Sequence, residues 1–304
     1  MWINVNAISI FIFITIAFAE KIADLSFEPP FETIDRVGVK TVSRQWRAHG
    51  DATVQTNFAR IAPDRQSQLG ALWSRHSTAS QVLSVILTFR ISGKSKQFYG
   101  DGLAFWLVTQ GYHTQGDLHG FTDKFTGIGI IFDTFKNTDS GLVHRDVTVL
   151  VNDGEKTLEM MDKDGYGCDI NVRYDTSAGD FNVQKSLSRM KFLVNMNSID
   201  IFIDARNTGE WERCVKIDDL ALPPGWLPHS HIGLTATTGQ LADNHDVISL
   251  LTYSEAQAME REMSEKMSQK LFPMMINGST EERLERYILC LFVYMYAMLC
   301  CSIY

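Results

Sequence analysis

The chain of 304 residues has no cluster of basic residues. Lys and Arg number 28 against 36 Asp and Glu, giving a net charge of -8 and a pI near 5.5. A nucleic-acid binder carries a basic face, so that class of partner is excluded. Internal repeats and long low-complexity tracts are missing as well, which removes solenoid and disordered architectures. Cysteine is sparse, five in all, and no Cys and His spacing suits zinc. What remains is 45% hydrophobic residues, enough to fill the core of one large or two small domains.

Both ends are apolar. Ile8 to Phe18 reads as the h-region of a secretory signal peptide over residues 1–19, with Ala17-Phe18-Ala19 as its small-x-small cleavage pattern. No charged n-region precedes it, so an uncleaved anchor is the competing reading. Tyr287 to Tyr304 holds no charged residue over 18 positions and reads as a transmembrane segment. A discarded lipid-anchor signal, cleaved near Asn277-Gly278-Ser279, is the alternative. Asn277 also heads a glycosylation sequon. In an oxidising lumen Cys168 and Cys214, the two cysteines of the chain's body, would form one disulfide; outside it they would be free thiols.

Between Phe27 and Tyr253 short strands are punctuated by turn residues, as in an all-β sandwich. Val82 to Ile91, Gly102 to Thr109, Ile128 to Phe132 and Val147 to Val151 are clear, as are Phe192 to Met196, Ile199 to Ile203 and Val247 to Thr252. Several alternate with period two, as in Asp200-Ile201-Phe202-Ile203-Asp204. The expectation is two stacked sheets within residues 20–253. Beyond them Met259, Met263, Met267 and Leu271 recur every fourth position, an apolar stripe on a helix that Pro273 ends. Residues 254–286 therefore read as a helical stalk or linker, solvated or offering a surface for self-association or a partner.

The strand from Gly127 runs straight into Asp133, Phe135 and Asn137. Two side-chain oxygens and the Phe135 carbonyl at alternate positions can converge on one hard cation, Ca2+. The competing reading makes Asp133 and Asn137 simple turn formers. Asp162-Lys163-Asp164-Gly165 lies in a later loop, and Asp164 or Asp162 can supply the further carboxylate. An EF-hand is excluded, because the twelfth place counted from Asp162 is Arg173 and not the closing glutamate.

Four stretches carry a family resemblance: Asp101-Gly102-Leu103-Ala104-Phe105-Trp106-Leu107, Gly127 to Asn137, Trp211-Glu212-Arg213-Cys214, and Thr238 to Ser249. Together they resemble the L-type lectin domain of the membrane-anchored cargo receptors of the early secretory pathway, in the vesicular integral-membrane lectin branch. The resemblance implies a concanavalin A-like jelly-roll sandwich that binds high-mannose glycans on newly made glycoproteins, with Ca2+ holding the sugar loops. It implies Asp133, Phe135 through its carbonyl, Asn137 and Asp164 as calcium ligands. It implies Asp123 and Asn137 as the groups that take the mannose hydroxyls, and Gly239-Gln240-Leu241 as the loop that closes over the sugar. It further implies a Cys168–Cys214 disulfide, and a luminal domain on a single span in the ER, the ER–Golgi intermediate compartment or the Golgi.

Three positions depart from the family's pattern. Met160-Met161-Asp162 stands where a sugar-contacting histidine is usual, Ala71 where a serine is usual, and Gln240 where aspartate or glycine is usual. Each lost hydrogen bond costs roughly 0.5–1.5 kcal/mol. The competing function is therefore a membrane-anchored cargo adaptor of lectin fold with weakened or lost sugar binding. Enzyme activity is not expected, since a glycosidase needs two carboxylates on a common face and no glutamate lies between Asp200 and Asp204. His245 reads as structural, its ring hydrogen-bonded in a turn.

Overall fold

The computed structural model describes residues 21–135 and 145–254, which fall within the first of two compact units, residues 1–256. The signal segment 1–19, Asn137, Asn277, nearly all of the stalk and the apolar segment 287–304 lie outside the described residues.

The first strands are β1 (Trp46–Gly50), β2 (Thr53–Val54), β3 (Ala59–Ala62), β4 (Leu69–Ser74) and β5 (Val82–Gly93). Then come β6 (Gly102–Val108), β7 (Thr126–Asp133), β8 (Val147–Asp153), helix α1 (Leu158–Asp164), β9 (Gly167–Cys168) and β10 (Arg173–Asp175). The chain continues through β11 (Ser188–Asn195), β12 (Ser198–Asp204), β13 (Glu212–Asp218), helix α2 (Trp226–His229), β14 (His231–Thr237) and β15 (Asn244–Tyr253). One sheet has the order β1-β4-β14-β6-β7-β8-β9. The other runs β13-β12-β11-β5-β15-β3-β2, with β10 joined to β5. The β10–β5 pair is parallel and the sheets are otherwise antiparallel.

Alternation along each strand assigns its faces. In β6, Leu103, Phe105 and Leu107 enter the core between the sheets, while Ala104, Trp106 and Val108 belong to a second cluster on the other face. Phe89 of β5 meets Phe132 of β7 in the main core with ring centroids 4.4 Å apart. The outer cluster forms because the segment 109–125 folds back, packing Phe121 on Trp73 and Trp106 with centroids 4.9 Å apart in each pair. Burial on both faces is why β6 reads as one unbroken apolar run. The tryptophans need glycine opposite them: a Cβ on Gly129 would lie 2.5 Å from Trp106, and one on Gly233 2.1 Å from Trp73.

Cys168 and Cys214 form a disulfide, with Cα atoms 5.2 Å apart. They sit on β9 and β13, the last strands of the two sheets, so the bond fastens one sheet to the other along an edge. One segment differs from expectation. Asp162 to Asp164 were assigned to a loop but end helix α1, which Thr157 caps at its start and left-handed Gly165 (φ 69°) at its end. Seven residues with one buried side chain, Met161, are too few to establish a helical period in the sequence.

Candidate functional site

Strands β14, β6 and β7 are neighbours, and their register places Thr237 opposite Gly102 and Gly102 opposite Asp133. The loops at these three strand ends therefore meet at one end of the sheet. They line a cavity of about 670 Å³ bounded by Phe98, Tyr99, Asp101, Phe135, Gln240 and Leu241, among others.

Asp101 is the half-buried carboxylate of this cavity. The Gly100–Asp101 peptide bond is cis. The Asp101 amide donates to the Thr237 carbonyl at 3.3 Å, and its own carbonyl accepts from the Thr134 amide at 3.0 Å and the Thr134 hydroxyl at 3.2 Å. Burial raises the pKa of its carboxyl group, against a weaker opposing effect of the Thr237 hydroxyl at 3.4 Å. The loop after β14 is held just as firmly. Gly239 accepts from the Ser67 amide at 3.0 Å, Gln240 from Gln66 Nε2 at 2.8 Å, and the Thr238 hydroxyl donates to the Arg65 carbonyl at 2.5 Å. A fixed carboxylate acceptor, ordered backbone and aromatic walls make a site suited to a neutral polyol with an apolar ring face.

The expected sugar residues are only partly brought together. Gly239, Gln240 and Leu241 are at the cavity, whereas Asp123 is exposed and precedes the opposite end of β7. Its carbonyl accepts from Asn152 Nδ2 at 3.1 Å. The eight residues of β7 put roughly 23 Å between the two strand ends at ~3.3 Å per residue. Asp101, and not Asp123, lines this cavity. It heads one of the four recognised stretches, but only the Gly102–Asp133 pairing reveals its place. Ser67 is exposed beside the Gly239 loop with φ 56°, while Ala71 is buried within β4.

Asp133 ends β7 and takes the Phe135 amide on Oδ1 at 2.9 Å. It borders a second cavity of about 370 Å³ together with Asp162, Glu159 and His119. Asp164, the expected calcium ligand, ends helix α1 and pairs with Lys156 Nζ at 2.8 Å. Among the described residues no three acidic, His or Cys side chains are grouped closely enough to hold a metal ion; Asn137 lies outside them. The donors are nevertheless of the right chemistry: Asp133 and Asp162 border one cavity, the Phe135 carbonyl follows, and hard cations take oxygen. Burial pushes the His119 pKa down to about 4. A histidine is therefore near this site in space though distant in sequence. Met161 is buried with Trp106 and Phe121, and Met160 is exposed.

Residues 20–262 match the legume-like lectin family. The chain belongs to that family. As a legume-like lectin it is 32% identical over 247 residues to the mouse VIP36-like protein, covering 77% of this chain and 66% of the relative. It is 28% identical over 227 residues to mouse Protein ERGIC-53, covering 73% of this chain and 42% of that one. The chain thus spans less than two thirds of the length of these relatives. Its fold matches the VIP36 exoplasmic/lumenal domain in the Ca2+/Man-bound form with a TM-score of 0.65 at 22% identity, over 78% of this chain and 92% of that one. A lectin family, not an enzyme family, is the setting for its carboxylates. Asp200 pairs with Arg213 at 3.1 Å and buried Asp204 with Arg189 at 2.5 Å.

Proposed function

We propose that this legume-like lectin is a calcium-dependent receptor for high-mannose N-glycans on newly made glycoproteins. It serves as a membrane-anchored cargo receptor of the early secretory pathway, with residues 20–253 luminal, 254–286 as stalk and 287–304 as span. The observation that carries this reading is the meeting of Asp101, Phe135 and Gly239–Leu241 around one cavity at the ends of β14, β6 and β7.

Asp101 accepts hydrogen bonds from vicinal hydroxyls, the Gly239–Leu241 backbone closes over the ring, and Phe135 and Leu241 cover its apolar face. Calcium, when bound by Asp133, Phe135 through its carbonyl, Asn137 and Asp162 or Asp164, supplies preorganisation of the loop that carries Asn137. Asp123 has no part in this version of the site. The solved VIP36 domain with Ca2+ and Man bound supports the ligand class.

One observation favours the competing adaptor reading: Met161 is buried among aromatic side chains and offers a hydroxyl no strong hydrogen bond. A glycan array decides between them. Calcium-dependent signal on mannose-rich structures supports the lectin, and cargo capture that survives glycan removal, with a silent array, supports the adaptor.

A further inference from the structure

Four of the chain's eight histidines, His49, His76, His113 and His231, gather with Arg47 and Arg75 around the outer face of the seven-stranded sheet. His231 begins β14, whereas the Asp101 cavity lies beyond the other end of that strand. Strand pairing puts Arg47, Trp73 and Gly233 in one row, and His49, Ala71 and Thr235 in another. Trp73 belongs to the outer cluster, so Arg47, His49 and, by alternation along β14, His231 share its face. The segment 109–125 covers that face. Its His113 ring is 5.5 Å from the His49 ring and 5.8 Å from Trp73, and its Tyr112 ring lies 4.9 Å from the Arg47 guanidinium.

Positive charge here has nothing negative to balance it. Among the described residues no carboxylate is ion-paired to any of the six. Asp51, in the turn after β1, spends its Oδ2 on the Leu69 amide at 2.9 Å, and Asp117 of the covering segment is exposed. Arg47 Nη1 is buried without a hydrogen-bond partner, an orphan donor that costs free energy. Burial holds His49 below its usual pKa, and His113, Arg47 and Arg75 add to that. Burial lowers His113 against its bond to Gly120, and lowers His231 against its bond to Ser74 and together with Arg47 and His76.

We propose that Arg47, His49, His113 and His231 form a proton-linked binding site for a tetrahedral oxyanion, a phosphate or sulfate group. The site is independent of the sugar-binding reading. Donors that come from β1, β14 and the covering segment suit an anion with oxygens on all sides better than a planar carboxylate. His113 Nε2 donates to the Gly120 carbonyl at 2.8 Å, and His231 Nδ1 to the Ser74 carbonyl at 3.4 Å. The other nitrogen of each ring can donate only when the ring is charged. An anion among these groups offsets their repulsion, so the protein takes up a proton as the anion binds.

The test is a calorimetric titration of the full chain with sulfate, at constant ionic strength and at about pH 5.5 and 7.5, on either side of the histidine range. Sulfate keeps its charge over that interval, so any pH dependence belongs to the protein. The wild type is expected to bind at least about tenfold tighter at the lower pH. Arg47→Met weakens binding about tenfold at both values, with Arg47→Lys keeping part of the affinity. His113→Gln and His231→Gln each reduce the pH dependence. Inorganic phosphate set against glycerol 3-phosphate then separates a site for the free ion from one for a phosphate carried on a larger molecule, and saturable binding of either supports the site. No saturable heat, equal affinity at the two pH values, or full affinity in Arg47→Met overturns it. Urea midpoints like that of the wild type show that the variants are folded.

Discussion

The carboxylate of Asp101 lies against the backbone of Gly239, so close that a Cβ on that glycine would sit 3.4 Å from Asp101 Oδ1. Strand ends that are far apart in sequence thus enclose one polar group between a loop and an aromatic wall. Gly239→Ala puts a methyl group on that carboxylate without a steric clash. The expected result is about three- to tenfold weaker mannoside binding, the worth of one hydrogen bond, with the urea unfolding midpoint unchanged.

Calcium binding separates the acidic residues. Asp133→Ala is expected to abolish it, and Asp162→Ala to weaken it by at least about tenfold. Asp164→Ala has the smaller effect, since that side chain is satisfied by Lys156. Calorimetric titration with calcium reads all three directly. Thermal unfolding gives a second readout, because saturating calcium stabilises the wild type by about 2.7 kcal/mol at a hundredfold excess over Kd. A larger loss from Asp164→Ala than from Asp162→Ala contradicts this assignment.

Stability depends on pH in part through His245. Its ring is fully buried, with the Ala62 backbone and the Asp246 carboxylate beside it. It was expected in a turn but belongs to β15 opposite Ala62. Burial pushes its pKa from 6.5 down to about 4. Below pH 6.5 the unfolded chain takes up a proton that the folded chain refuses until about pH 4, so stability falls as pH drops through that window. The loss approaches ~3 kcal/mol, at 1.36 kcal/mol per pH unit. Urea midpoints that stay level between pH 6.5 and 4 would contradict it, and His245→Gln should reduce the slope without removing it, because burial holds His119 down to about 4 as well.

Removing the Cys168–Cys214 bond opens a loop of 46 residues and releases one edge of each sheet. The double variant Cys168→Ala/Cys214→Ala is expected to lose about 3–4 kcal/mol of stability, measured by urea unfolding, with sugar binding retained below the new midpoint.

The sandwich was legible because its longest strands announce themselves. Val82 to Ile91 and Ile199 to Ile203 are β-branched or apolar runs bounded by turns, and both lie in strands. β14 was not recognised, because His231-Ile232-Gly233-Leu234-Thr235-Ala236-Thr237 has no bulky run, its glycine being kept small by Trp73. Around the cavity, Gly239 to Leu241 form one loop that is continuous in sequence. Asp101 comes to it only because Gly102 pairs with Asp133 across 31 residues of chain. The same holds for His119, which reaches the cavity only because the segment 109–125 folds back over the sheet.

The most direct test sets Asp101→Asn beside Asp123→Asn, titrating the full chain with methyl α-mannoside in calcium and again after chelation. Wild type and Asp123→Asn are expected to bind alike and only with calcium, while Asp101→Asn loses at least about tenfold in affinity. Binding that survives in Asp101→Asn, or that fails in Asp123→Asn with the fold intact, would contradict the placement of the site at the ends of β14, β6 and β7.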